Sequence, residues 1–234
     1  MKKISFTRYN FLLLIEFLKI KDYLMTIELS GYHIPNRIAR YMIVTLQDLM
    51  GENGLNAVLK QSGLPPYQEI CPPDTMDNAF DFSLYSAICA SVANTYGPRG
   101  AKVFLIRAGK ASFRNGIQSF IDNYGAGLEI GGKILPITFK LPLLLKWIAK
   151  NYTETSDRIV EVKDGGDHYI YINKRCPVCY GRTVSAPDCH ITLGFLQEAT
   201  AFISNEAQFQ IRQTTSIAAG DESCDFIITK KPSE

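Results

Sequence analysis

Along residues 34–61 apolar side chains recur three and four positions apart. In IPNRIARYMIVTLQDLMG, Ile38, Tyr41, Met42, Thr45 and Leu49 share one stripe, the period of an amphipathic helix, and Gly51 stops it. GLNAVLKQSGLPPY predicts a second, shorter helix closed by Gly63 and the proline pair. CPPDTMDNAFD reads as a loop holding Cys71. The helical period returns in FSLYSAICASVANTYG, where Leu84, Ile88 and Val92 are apolar and Cys89 is a small core residue beside them. AKVFLIRAGKASFRNGIQSFIDNYG continues helical, with breaks expected near Gly109 and Gly116. LPLLLKWIAKNY predicts a helix with Pro142 in its first turn and Leu145, Ile148 and Ala149 on one face.

After Asn151 the period changes to two. RIVEVKDGGDHYIYINK predicts a hairpin around Asp164-Gly165-Gly166-Asp167. PDCHITLGFLQEATAFIS predicts a helix with Ile191, Phe195, Ala199 and Phe202 aligned. FQIRQTTSIAAGDESCDFIITK predicts a second hairpin turning at Gly220-Asp221, with Cys224, Phe226 and Ile228 alternating onto one face. The expected fold is therefore α+β: an N-terminal helical layer packed on an antiparallel sheet built from two hairpins flanking a helix. One domain is expected over 34–230, with a helical part 34–151 and a hairpin-helix-hairpin part 158–230, preceded by an extension, 1–33.

Composition narrows the function classes. The chain has 234 residues, 46% hydrophobic and 21% charged with a net charge of +2, which is enough to bury a sizeable core and offers no basic stripe for nucleic acid. In the extension, the apolar run Phe11–Leu18 is interrupted by Glu16 and lacks a small-residue cleavage site. It reads as an amphipathic helix rather than a signal or membrane span, with Met1 or Met25 as the start and the cytoplasm as the expected location. YGAGLEIGGK (124–133) misses dinucleotide-loop spacing and reads as a turn. His33 and His168 have no adjacent nucleophile, and Asp221 with Glu222 sits at a tight turn, so no hydrolytic site is indicated.

The concentrated chemistry lies in KRCPVCYGRTVSAPDCH, residues 174–190. Cys176-x2-Cys179 follows a predicted strand, so both thiolates can face one point. Cys189 and His190 stand at a helix start, where thiolates are favoured, and Cys224 is the natural fourth member on the last strand. Four Cys, or three Cys and His190, would close a tetrahedral zinc site. An iron–sulfur cluster, a redox dithiol and unpaired core thiols are the alternatives.

Several of these stretches resemble the 4-vinyl reductase (4VR), or hydrocarbon-binding, domain family: AAGDESCDFII with Gly220, Asp221, Cys224 and Phe226; PDCHITLGFLQEA with Cys189 and Gly194; and GPRGAKVFLIRAGKASF with Arg107-Ala108-Gly109. Gln213 and Ser216 stand where that family often has Glu and Cys. The resemblance implies a fold like that of vesicle-tethering transport-particle subunits and aromatic-sensing regulator domains, with an apolar cavity and a homodimer, and some sensor relatives bind zinc. It implies a sensor or carrier for a small hydrophobic molecule (tetrapyrrole, aromatic or acyl chain), with the cysteines as a structural metal clip and no enzymatic activity of its own. The alternative it implies is an enzyme or accessory subunit in bacteriochlorophyll or tetrapyrrole vinyl reduction. Phe104, Phe113, Trp147, Phe195 and Phe202 are pocket candidates as bulky residues on predicted helix faces, with Arg107 from the matched stretch. The cavity is expected between helix 190–203 and the helical layer before 151. There the small Gly194 and Ala199 would let a ligand or another helix approach.

Overall fold

The computed structural model describes residues 27–124 and 136–232. The extension up to residue 26 and most of the turn expected at 124–133 lie outside the described residues.

A short strand β1 (His33–Pro35) leads into α1 (Asn36–Gln61), followed by α2 (Tyr67–Ile70), β2 (Asn78–Asp81), α3 (Phe82–Tyr124) and α4 (Ile137–Thr155). The chain then forms β3 (Val160–Asp164), β4 (His168–Asn173), α5 (His190–Ile203), β5 (Phe209–Gln213) and β6 (Cys224–Pro232). β1 and β2 form a small antiparallel pair that the sequence pattern did not announce. Its buried Asp81 accepts from the Ser30 and Gly31 backbone, the Ser30 hydroxyl and the Ser83 backbone at 2.7–3.1 Å, which seats the start of α3.

Two helices turn sharply at glycine. Gly51 (φ 73°, ψ 163°) divides α1, and Gly97 (φ 69°, ψ 173°) divides α3, with Pro98 opening the second half. Both glycines hold a backbone conformation closed to L side chains. The breaks expected at Gly109 and Gly116 are absent, because both lie in continuous helix. Gly109 serves packing instead. A Cβ there would stand 2.0 Å from the Ile191 carbonyl oxygen, and a Cβ on Gly194 would stand 2.2 Å from that of Ile106. Gly194 of α5 therefore admits a helix, α3, rather than a ligand. Pro142 lies well inside α4, which begins earlier than the pattern suggested.

The main sheet is fully antiparallel in the order β3-β4-β6-β5. Cys224, Phe226 and Ile228 of β6 are fully buried, in the alternation read from the sequence. The helices bury Met42, Ile43 and Leu46 of α1, Tyr85, Ile88 and Val92 of α3, and Leu141, Leu145 and Ile148 of α4 into one core with this sheet face. The architecture is α+β, with helices and antiparallel sheets. No described helix is long and apolar enough to cross a membrane.

Candidate functional site

Register places the cysteines. β4 and β6 pair so that Asn173 faces Cys224, which sets Cys224 beside the chain just before Cys176. Cys176 and Cys179 then occupy a turn closed by the Cys179 N–H donating to the Cys176 carbonyl at 3.3 Å. Cys189 is the residue from which α5 starts. All four side chains are buried, and their sulfurs lie within 4.8 Å of one another. Cys179 is 3.0 Å from Cys189 and 3.4 Å from Cys224, Cys189 is 3.7 Å from Cys224, and Cys176 is 4.0 Å from Cys189.

These spacings suit one chemistry. A disulfide needs about 2.05 Å, so the thiols are free. A tetrahedron with bonds of about 2.3 Å to a central ion has sulfur–sulfur edges of about 3.8 Å, in the middle of the observed range. A multi-iron cluster would drive the sulfurs further apart. His190 is not part of the group; it is half-buried, and desolvation lowers its pKa. The metal set read from the sequence thus contracts to four cysteines. Of the other thiols, Cys89 is buried in the core, where burial pushes its pKa up to about 12, and Cys71 is half-buried.

The four sulfurs do not titrate alike. Hydrogen bonds from Cys176, Cys189 and Cys224 hold the Cys179 thiol well below its ordinary pKa, while Cys176 is pushed up, first by its bond to Cys179. Such a nest of sulfur favours anionic character at its centre, the state that a cation would stabilise.

Polar neighbours hold this geometry. The Cys189 N–H donates to Gln213 Oε1 at 2.9 Å, and Gln213 Nε2 donates to the Thr215 carbonyl at 2.9 Å. Ser216 Oγ lies 3.4 Å from Cys179 Sγ, and the Ile217 N–H donates to Cys224 Sγ at 3.4 Å. Asp221 accepts from the Ser216 N–H at 2.7 Å. Arg182 pairs with Asp188 and donates to the Val178 carbonyl at 3.1 Å, clasping the loop between Cys179 and Cys189. Gln213 and Ser216, which stand where the 4-vinyl reductase family often has Glu and Cys, both touch the cluster. Their one legible signal was position, just ahead of the last turn.

Beside this centre lies a cavity of about 520 Å³. Phe113 of α3, Trp147 and Tyr152 of α4, Phe195 of α5 and Tyr41 of α1 form its walls, and Phe113 and Tyr152 each stand 5.3 Å from Phe195. A small recess of about 30 Å³ shares Ile38, Ser112, Tyr152 and Phe195 with it and reaches Pro177 and Val178 of the cysteine turn. Of the sequence-derived pocket candidates, Phe113, Trp147 and Phe195 line the cavity. Phe104 instead packs 4.7 Å from Tyr96, Arg107 is exposed, and Phe202 is 50% exposed with its ring 5.7 Å from Phe113.

No protein family matches the chain, and no curated protein does. Solved structures share its fold. An H-NOX protein from S. oneidensis in the Fe(II)NO ligation state is 16% identical with a TM-score of 0.52 over 83% of this chain and 99% of that one. A Cs H-NOX variant is 15% identical with a TM-score of 0.52 over 85% and 98%. An H-NOX structure from work on heme distortion is 14% identical with a TM-score of 0.52 over 86% and 97%. These likenesses overturn the resemblance to 4-vinyl reductase domains, because the structural neighbours are H-NOX domains. The short Gly-Asp and Pro-x-Cys steps that carried the resemblance are turn and helix-start chemistry that unrelated chains share. The homodimer and vinyl-reduction expectations lose that support. The chain has the α+β fold of H-NOX domains.

Proposed function

We propose that the chain is a small-molecule sensor module that holds an apolar ligand in the aromatic-walled cavity, with Cys176, Cys179, Cys189 and Cys224 binding one structural zinc ion. The observation that carries this reading is the 520 Å³ cavity whose wall residue Phe195 rides on the helix that Cys189 begins. A cavity of this size and apolar lining is the usual form of a small-molecule site. Four buried thiols around one point form a closed donor set, which suits a structural rather than a catalytic zinc.

The structural neighbours are heme proteins, but the residues here do not fit a haem. Haem iron takes a His, Cys, Met or Tyr ligand. The chain has three His and six Cys, all of them described, and none lines the cavity. His33 pairs with Asp157 and His168 with Asp167, while His190 stands at the start of α5. Met76 at the cavity edge is 50% exposed, and burial raises the pKa of both Tyr41 and Tyr152, which disfavours an iron-binding phenolate. Adding haemin should therefore produce no Soret shift of ligated iron.

Gly116 tests the cavity directly. It lines the wall in helical backbone, and a Cβ there meets nothing within 4 Å. Gly116→Phe should fill the space, abolish uptake of a fluorescent hydrophobic probe and leave metal content and melting temperature intact. Equal probe uptake by the variant and the wild type would remove the cavity from the function.

A further inference from the structure

A buried cation lines the small recess that adjoins the cavity. Arg158, between α4 and β3, is 7% exposed, and its guanidinium carbon stands 4.2 Å over the Tyr152 ring. Among the described residues no carboxylate pairs with it, and its Nε–H has no hydrogen-bond partner. Asn173, 4% exposed, likewise leaves its Oδ1 without a partner. Both residues line the same small recess, with Tyr85 and Tyr171 beside them. Stacking on a tyrosine ring stabilises a guanidinium modestly, but it neither neutralises the charge nor satisfies the Nε–H. Burying a permanent cation without a countercharge is costly, and two unmet polar groups lining one recess point to an occupant that supplies it.

The void's size and connection define that occupant. About 30 Å³ has room for a polar head of a few atoms but not for a ring, and the recess shares four wall residues with the 520 Å³ apolar cavity. We propose that the ligand is an apolar molecule ending in a carboxylate, its head held by Arg158 and Asn173 and its tail lying against Phe113, Trp147 and Phe195. A carboxylate accepts from Arg158 Nε and supplies the missing countercharge. The Asn173 amide, turned about its last bond, offers N–H to the same head. The proposal rests on the cavity being a ligand site and adds which chemical class it takes. It also explains why a polar recess lies behind aromatic walls.

The test uses decanoate and 1-decanol, which share a tail and differ in the head, titrated calorimetrically into the metal-loaded full chain. Wild-type protein should bind decanoate at least about tenfold more tightly, the scale of a hydrogen bond to a charged group. Arg158→Met should bring decanoate down to the affinity of decanol and leave decanol unchanged, while Arg158→Lys, which keeps the charge without the fork, should retain part of the preference. Equal wild-type affinity for the two ligands would overturn the carboxylate site and leave the cavity reading standing. If neither binds, and Gly116→Phe changes nothing, the cavity reading fails and takes this inference with it. If Arg158→Met loses the metal yet keeps the preference for acid, the guanidinium serves the thiolates and the proposal is wrong. Should that variant not fold, the wild-type comparison decides alone.

Discussion

Gln213 illustrates how one side chain can shape the four-cysteine cluster without adding a sulfur to it. Its Oε1 receives the Cys189 N–H and its Nε2 is fixed on the Thr215 carbonyl, so it locks the backbone that carries a ligand. Residues of this kind commonly change metal affinity by about 10–100-fold. Gln213→Ala should lower zinc affinity within that range, measured by competition with a chromophoric chelator, while all four thiols remain. An unchanged affinity would show that strand pairing alone sets Cys189. At this scale the sequence was legible where chemistry is concentrated. Cys176, Cys179, Cys189 and Cys224 stood out by type and by strand alternation. Gln213, Ser216 and Arg158 did not, because a polar residue's role depends on which buried groups meet it, and that is set by register and packing far along the chain.

Among the elements, the contact between α3 and α5 is governed by two glycines. Each would thrust a Cβ into the partner's backbone, at 2.0 Å for Gly109 and 2.2 Å for Gly194. Backbone cannot yield as a side-chain tip does, so Gly109→Ala and Gly194→Ala should each destabilise the protein by about 1–3 kcal/mol, the usual cost of overpacking. Gly116→Ala, on the same helix but facing open space, should instead be neutral or stabilising by about 0.5–1 kcal/mol, because alanine is the better helix former. Denaturant melts of the three variants test the contrast; similar losses in all three would mean that helix propensity rather than contact decides. The same glycines show how element reading goes astray. A glycine in a helical pattern signals either a break or a close approach, and composition cannot distinguish them. Gly51 and Gly97 proved to be breaks, Gly109 a contact and Gly116 a wall of the cavity. The strands, helix α5 and the final hairpin were readable because their periods of 2 and 3.6 are strong, whereas β1 and β2 are too short to show a period.

For the molecule as a whole, the four-cysteine cluster and the cavity are joined by α5. Cys189 begins it, and Phe195, less than two turns on, forms part of the cavity wall. If occupying the cavity shifts α5, it shifts a ligand of the metal, and linkage requires the effect to be equal in both directions. Removing zinc with a chelator should therefore weaken decanoate binding, and decanoate should raise zinc affinity by the same factor. Unequal factors would mean that one treatment disturbs the fold rather than the shared helix; no effect in either direction would make α5 a rigid spacer. The α+β class and the order of its layers followed from the change of period at Asn151. The cavity did not, since a void is a property of how the layers fail to meet.

The central strand pair has a kinetic consequence. β4 and β6 are neighbours in space, yet the cysteine loop, α5 and β5 all lie between them in the chain. Pairings of this kind are slow, because a long loop must close before any contact rewards it. Cys176, Cys179 and Cys189 are close in sequence and can seize an ion while β6 is still free. The fourth coordination position then becomes a tether that captures Cys224 and delivers β6 to its partner in register. Refolding from denaturant should accordingly be faster with one equivalent of zinc than with a chelator, and Cys224→Ala should erase most of that acceleration. Identical refolding rates with and without the ion would place metal binding after the sheet has formed, as the last act of folding rather than its guide.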